Sequence, residues 1–188
     1  MIVARAIDGT DKTVPVCAYG GALMTQGLLD GMVHGGFAFM ATNQIDLGSG
    51  NVASLTFTVA GAPTPGHVHA TYKVICEAES EVAFYEGVVR TVNTGTAVTP
   101  ICLNRNEPKV SAWGSDSVYK NATINIVGAT LLDVEVVGSK KAEGGRSEAM
   151  FDWIVGRGKT YSIVVTDQSG QANETTIRLV WGRHVEVI

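Results

Sequence analysis

The chain has 188 residues, of which 45% are hydrophobic and 17% are charged, with a formal net charge of −4. This length favours one domain, or one domain with an attached arm, and the hydrophobic content excludes a disordered chain. The acidic balance argues against a nucleic-acid-binding protein, because such proteins neutralise phosphates with basic residues. No apolar run approaches the length of a membrane span.

Three cysteines are present, Cys17, Cys76 and Cys102, and none of them forms a CxxC pair. An odd number without that spacing is typical of reduced thiols in a cytosolic protein, rather than of a disulfide framework or a zinc site. The first residues also lack the basic-then-apolar order of a secretory signal peptide. We therefore expect a cytosolic protein that is not exported by a signal peptide.

The composition is that of an all-β protein. There are 25 Val, 11 Ile and 18 Thr against only 9 Leu, and 22 Gly punctuate the chain. Residues branched at the β-carbon favour strands, and frequent glycine favours turns.

The first 51 residues differ from the rest, because glycines recur among Leu, Met and Phe side chains between residues 19 and 40. We expect residues 1–51 to form a glycine-rich N-terminal arm or extension, followed by a β-sandwich domain at residues 52–188. Two structures fit the extension at this stage. It is either an arm that packs on a neighbouring subunit, or a strand and loop that cover the sandwich.

Two alternating stretches follow the extension. Residues 54–59 alternate strictly, which predicts a strand with Leu55, Phe57 and Val59 on one face. A loop rich in Pro and Gly separates it from a second alternating stretch at residues 69–77. The residues expected on the inner face of this second strand are Ala70, Tyr72, Val74 and Cys76.

Further short strands are predicted at residues 81–86, 123–127, 132–136, 161–166 and 176–181. In the last of these, Ile177, Leu179 and Trp181 share one face. The charged, glycine-rich segment 139–146 predicts an exposed mobile loop. About eight strands without a strong helix between them favour an antiparallel β-sandwich or barrel, with a jelly roll as the leading candidate.

One histidine pair resembles part of a metal site. Gly61, His67 and His69 match Gly-x5-His-x-His, which begins the first metal motif of the cupins, and two histidines two residues apart on a strand share a face. The cupin motif then needs a Glu at residue 73 or 74, where this chain has Lys73 and Val74, and a later His on a facing strand is missing. We expect two surface histidines and no metal ligand. A cupin-like metal-binding protein using His67 and His69 is the alternative from another class.

No motif for catalysis stands out, and we expect no enzyme, no catalytic residue and no cofactor-binding residue. Glu77, Glu79 and Glu81 surround a hairpin turn, where carboxylates are usually solvated. Residues 156–160 lack the Gly-x4-Gly-Lys-Thr spacing of a phosphate loop, because residue 153 is Trp.

A carbohydrate-binding module is a further alternative, because such modules stack sugars on aromatic platforms. The chain has three tryptophans, Trp113, Trp153 and Trp181. Trp181 shares the apolar face of its strand, so we expect it in the core. Trp113 and Trp153 are left as candidates for a platform.

Several segments, in chain order, resemble a family of tailed-bacteriophage virion proteins, the small jelly-roll decoration (cement) proteins of capsids. They include Asn104-Arg105-Asn106 and the stretch Asp167-Gln168-Ser169-Gly170. The full set of similar segments is 69–74, 82–87, 95–96, 98–100, 104–106, 128–132, 138–146, 153–155, 160–161, 165–173 and 179–181. Where the family usually ends in Trp-Tyr with acidic neighbours, this chain has Trp181-Gly182-Arg183-His184.

The resemblance implies a non-enzymatic structural protein on the capsid exterior. Its expected partners are the major capsid protein and further copies of itself, as a dimer or trimer, with no nucleic acid and no membrane. A head-fibre or tail-associated virion protein is the nearest alternative. Many copies on a symmetric lattice bind with high avidity even when each contact is weak.

Overall fold

The structure of the chain is a computed structural model. It describes residues 4–5, 13–14, 17–19, 22–24, 33, 36–48, 51–60, 67–106, 117–138, 145–148 and 153–184. Within this part of the chain the secondary structure is almost entirely β.

The strands are numbered in chain order. They are β1 (Ala4–Arg5), β2 (Thr13–Val14), β3 (Cys17–Tyr19), β4 (Ala22–Met24), β5 (Ala38–Leu47), β6 (Val52–Thr58), β7 (His67–Cys76), β8 (Ser80–Glu86), β9 (Val89–Arg90), β10 (Thr96–Val98), β11 (Ile101–Cys102), β12 (Ser117–Lys120), β13 (Ile124–Asn125), β14 (Thr130–Val137), β15 (Gly145–Glu148), β16 (Trp153–Val155), β17 (Thr160–Asp167) and β18 (Asn173–His184).

Two large antiparallel sheets are formed by the described strands. The first has the order β10-β12-β6-β17-β8-β14, and the second has the order β11-β5-β18-β7-β15, with β16 also paired to β7. Smaller pairings join β1 to β2, β3 to β4, and β9 to β13. The predicted all-β, antiparallel sandwich is therefore confirmed.

The main strands follow the topology of a jelly roll. Leaving aside β1 to β4 and the short strands β9 to β13, the described residues form eight strand positions, and β15 and β16 together fill one of them. The first position pairs with the eighth (β5 with β18), the second with the seventh (β6 with β17), the third with the sixth (β7 with β15 and β16), and the fourth with the fifth (β8 with β14). This nested pairing is that of an antiparallel ribbon folded over on itself into two sheets.

The core lies between the two sheets and is built from alternate residues of the central strands. All three inner faces predicted from the sequence are confirmed, with every member at most 5% exposed. They comprise Leu55, Phe57 and Val59; Ala70, Tyr72, Val74 and Cys76; and Ile177, Leu179 and Trp181. Ile75, on the opposite face of β7, is 46% exposed, as the alternation requires.

The sandwich begins earlier than the sequence predicts. β5 pairs with β18 along its whole length, and Phe39, Ala41 and Leu47 enter the core. Residues 38–47, which the sequence analysis placed in the extension at residues 1–51, form the first strand of the jelly roll. Most of the preceding segment lies outside the described residues.

The strand predicted at residues 123–127 is shorter than expected. It is limited to Ile124–Asn125, because the chain turns immediately afterwards. The Asn125 side-chain oxygen accepts a hydrogen bond from the Val127 N–H at 2.9 Å, and Gly128 follows with φ +82°. A left-handed backbone of this kind ends a strand and favours glycine.

The loop predicted at residues 139–146 is partly wrong. Gly145 and Arg146 belong to β15 and pair with Cys76 and Ile75 of β7. The remaining positions of that prediction, residues 139–144, lie outside the described residues.

Candidate functional site

The predicted position of His69 on the outer face of β7 is confirmed. Val68 and Ala70 on either side of it are buried in the core, and His69 is half-buried on the opposite face. In register it stands between Gly182 of β18 and Ile154 of β16. Gly61 and the side chain of His67 lie outside the described residues. Among the residues that are described, no three His, Cys, Asp or Glu side chains come together as a metal site.

Lys73 lies on the same outer face of β7 as His69. It is opposite Arg178 of β18 in register, so two cationic residues are cross-strand neighbours at this point of the sheet. Val74 points the other way and is fully buried. A cupin would place its glutamate at residue 73 or 74. Here residue 73 is a cation on the outer face, and residue 74 is a valine in the core.

The tryptophans differ in burial. Trp181 is in the core as predicted, with its ring centroid 6.0 Å from that of Phe39. Trp153 is half-buried and meets the ring of Phe84 edge-on at 5.7 Å, so its ring is engaged with the core of the sandwich. Trp113 lies outside the described residues.

Two cysteines are buried and free, Cys76 and Cys102. Burial raises the pKa of the Cys76 thiol, which keeps it protonated at neutral pH. A protonated, buried thiol behaves as a small apolar side chain.

A polar cluster that the sequence analysis did not identify lies at one end of the first sheet. Tyr161 is fully buried, and its hydroxyl accepts a hydrogen bond from the Gly156 N–H at 2.6 Å and donates one to Glu86 Oε2 at 2.7 Å. Lys159 Nζ donates to Glu86 Oε1 at 2.5 Å. These bonds lower the pKa of Glu86, while burial and the adjacent carboxylate raise the pKa of Tyr161. The cluster fastens the turn between β16 and β17 to the end of β8.

A buried carboxylate organises the loop between β17 and β18. Asp167 is 4% exposed and accepts hydrogen bonds from the N–H and hydroxyl of Ser169, at 3.3 and 2.6 Å, and from the Gly170 N–H at 3.1 Å. The buried Asn173 side chain donates to Asp167 at 3.1 Å and to the Ser80 hydroxyl at 2.8 Å. Because these bonds close the loop and tie it to β8, residues 167–173 stabilise the fold.

A second buried polar group bridges the two sheets. Asn43 of β5 is 1% exposed, and its Nδ2 donates to the Ser54 carbonyl of β6 at 3.0 Å and to Asn121 Oδ1 at 2.8 Å. The Ser54 N–H also donates to Asn121 Oδ1, at 3.2 Å. These bonds satisfy backbone groups of β6 where its pairing with β12 ends. The Asn43 Oδ1 has no hydrogen-bond partner within the described part of the chain.

The feature best suited to a functional role is the edge strand β14, in which the usual orientation of side chains is reversed. A bulge at Leu132 shifts the register with β8, so that Asp133 rather than Leu132 lies opposite the buried Phe84. A shift of one residue moves every following side chain to the other face of the sheet. Val134 and Val136 consequently face outward, with 49% and 64% of their surface exposed.

A hydrogen bond holds the bulged register in place. The Tyr72 hydroxyl donates to Asp133 Oδ2 at 2.9 Å. Tyr72 belongs to β7 in the second sheet, and its ring packs against Phe84 of the first sheet with centroids 5.4 Å apart. The bond therefore joins the two sheets at the β14 edge and keeps Asp133 directed inward.

We call the outward side chains Leu131, Val134 and Val136 the β14 surface. They are 48%, 49% and 64% exposed and lie on the outermost strand of their sheet. Val52 is similarly exposed, at 53%, on the same outer face, but it lies on β6, three positions from β14 in the sheet. Exposed apolar side chains along a sheet edge are typical of surfaces that contact another protein.

The sequence predicted β14 as a strand but gave no signal for its orientation. Alternation at residues 132–136 is equally compatible with valines inside or outside, and the bulge depends on the Tyr72–Asp133 contact between distant segments. The Glu86–Tyr161 pair was missed for the same reason, because 75 positions separate its members.

No helix in the described residues is long and apolar enough to cross a membrane. Comparison of the chain with protein-family models, with curated proteins and with solved structures found no match.

Proposed function

We propose that this chain is a non-enzymatic structural protein of a tailed-bacteriophage virion. In this proposal it decorates the capsid exterior as a homo-oligomer, contacts the major capsid protein, and stabilises the lattice against internal pressure. Two features support the proposal: the ordered segments that resemble decoration proteins, and the jelly-roll topology that this resemblance implies. The same topology occurs in capsid proteins, lectins and cupins, so only a feature of the protein surface can distinguish among these functions.

The observation that carries the proposal is the β14 surface. A bulge turns Val134 and Val136 away from the core, and an internal hydrogen bond to Asp133 maintains that arrangement. Exposed valines at a sheet edge favour aggregation, so a chain that holds them outward gains from a partner that covers them. A capsid lattice offers such a partner in many copies, and repeated weak contacts then add up to stable attachment.

The proposal is tested by quantitative mass spectrometry of purified virus particles from the source of this chain. The copy number is scaled to the major capsid protein in the same sample. A ratio near one per capsomer or per capsid subunit supports decoration. A few copies per particle would contradict it in favour of a vertex, portal or tail protein, and absence from particles would contradict the virion assignment altogether.

A matched pair of variants connects copy number to the β14 surface. Val134→Lys introduces a charge on that surface, and Val52→Lys introduces the same charge on the same outer face away from the edge. We expect particles assembled with the first variant to lose most of their copies and particles assembled with the second to keep them. Equal occupancy for the two variants would contradict the proposed contact.

A further inference from the structure

No strand among the described residues pairs with the outer edge of β14. In the described part of the chain, β14 pairs with β8 on one side only and ends the six-stranded sheet. An edge strand presents alternate N–H and C=O groups that have no partner in the sheet, and an extended peptide can pair with them. Proteins often protect such an edge with proline or lysine, and β14 contains neither.

The two faces of β14 differ in chemistry. Outward, it presents the β14 surface, which is apolar. Inward, it presents two carboxylates, Asp133 opposite Phe84 and Glu135 opposite Val82 in register, which lie between Leu132 and Val137 of the core. Asp133 is half-buried and bonded to Tyr72, whereas Glu135 is exposed. There is no basic residue in β14 itself.

These faces determine which segment can pair with the edge. Side chains of an added strand alternate between the two faces, and each lies beside a β14 residue of the same face. Residues on its outward face would lie beside Leu131, Val134 and Val136, where apolar side chains are favoured. Residues on its inward face would lie beside Asp133 and Glu135, where positive charges are favoured.

We propose that the β14 edge binds, by strand addition, an extended segment of a partner protein in which apolar residues alternate with Lys or Arg. This inference deepens the proposed function, on which it rests for the identity of the partner, the capsid protein. The chemistry of the segment follows from β14 alone.

A second copy of the chain is disfavoured at this edge by its charges when two β14 strands pair about Val134. Two-fold pairing of β14 with its own copy is antiparallel and brings inward residues of one strand against inward residues of the other. Pairing centred on Val134 would set Asp133 against Glu135 of the copy, and like charges directly opposite are destabilising. Homo-oligomer contacts are therefore expected on other surfaces of the molecule.

The test uses the isolated full-length chain and two synthetic peptides of about eight residues, a length that pairs with a strand of this size. One peptide alternates valine with lysine, and the other alternates valine with glutamate. We expect the lysine peptide to slow amide hydrogen exchange in residues 130–137 and the glutamate peptide to leave it unchanged. No protection by the lysine peptide, or equal protection by both, would overturn the proposal.

Two charge-reversal variants test whether the carboxylate of Glu135 contributes to peptide binding. Glu135→Lys places a cation beside the expected cations of the peptide, and Glu77→Lys makes the same change at an exposed site in the turn before β8. We expect about a tenfold loss of lysine-peptide affinity for Glu135→Lys, because a like-charge contact replaces an opposite-charge contact, and little loss for the control. Equal affinities would overturn the charge argument. So would a concentration-dependent dimer protected at residues 130–137 without peptide.

This test is independent of the virion experiment. Peptide binding can fail while the copy number in particles stays high, which would leave decoration intact but move the contact elsewhere. Conversely, the peptide can bind while purified particles contain no copies of the chain. That outcome would support the β14 edge as a docking site and contradict the capsid protein as its partner.

Discussion

The central strand β18 and the edge strand β14 have similarly alternating sequences but opposite arrangements in space. In β18, Ile177 and Leu179 are fully buried, and Arg178 between them is exposed. In β14, Val134 and Val136 are exposed, and Asp133 faces inward. A central strand is held by neighbours on both sides, so its register is fixed and its apolar face enters the core. An edge strand with one neighbour can shift by a bulge and expose them.

The largest expected difference between the two strands is in stability. Leu179→Ala leaves a cavity in the core and should lower the free energy of unfolding by about 2–5 kcal/mol. Val134→Ala removes an exposed side chain and should change it by less than about 0.5 kcal/mol. Urea denaturation of both variants measures this difference. A loss of more than 2 kcal/mol for Val134→Ala would mean that β14 is packed as an ordinary core strand.

A buried polar residue of the core, Asn43, should also contribute more to stability than the exposed residues of β14. Asn43→Ala removes hydrogen bonds to Ser54 and Asn121 in a dry environment, and we expect a loss of about 1–3 kcal/mol in the free energy of unfolding. Gln44→Ala, at the exposed neighbouring position, is the control and should have little effect. Equal effects of the two substitutions in urea denaturation would contradict the role of Asn43 as a bridge between the sheets.

The hydrogen bond between Tyr72 and Asp133, which holds the bulge, should contribute less to the free energy of unfolding. Tyr72→Phe removes the hydroxyl that donates to the Asp133 carboxylate and should cost about 1.5 kcal/mol, the low end of the range for a hydrogen bond to a charged group. Faster amide exchange in residues 130–137 should accompany this loss, because the bulged register is then less constrained. Unchanged exchange there would show that the register does not depend on this contact.

The smallest expected effect concerns acid sensitivity at the Glu86 cluster. The hydrogen bonds from Lys159 and Tyr161 lower the pKa of Glu86 below its ordinary value of 4.5. Because the pKa of Glu86 is lower in the folded state than in the unfolded state, its carboxylate stabilises the fold at every pH above the unfolded-state pKa. This stabilisation is lost as the pH falls through the folded-state pKa. The pair with Lys159 is largely exposed, so we expect less than about 1 kcal/mol.

Melting temperatures between pH 3 and pH 7 measure this contribution. The native chain should lose more stability on acidification than Glu86→Gln, whose side chain does not titrate. Parallel curves for the two proteins would contradict the assignment of this acid-sensitive contribution to Glu86.

Central strands were predictable from the sequence because burial on one face imposes a strict period of two. The inner faces of β7 and β18 follow this rule at every position tested, from Ala70 to Cys76 and from Ile177 to Trp181. The first strand, β5, was missed because its inward set includes Asn43 among Phe39, Ala41 and Leu47. A polar residue in that position interrupts the apolar period.

The candidate site was not predictable in the same way. The bulge at Leu132 is set by pairing with β8 and by the bond between Tyr72 and Asp133, which are 61 positions apart. Alternation identifies a strand but not the face that it buries. In an edge strand, tertiary contacts determine which face is buried. The sequence alone therefore gave the strand and not the surface.

The outward orientation of the β14 valines is the central claim, and their solvent exposure measures it most directly. Methyl-resolved NMR with a soluble paramagnetic agent compares Val134 and Val136 with the buried Val137 and Val82 in one spectrum. We predict strong broadening of the Val134 and Val136 methyl signals and little effect on the other two. Protection of Val134 and Val136 to the level of Val82 would contradict the reversed strand, and with it the surface on which the proposed contacts depend.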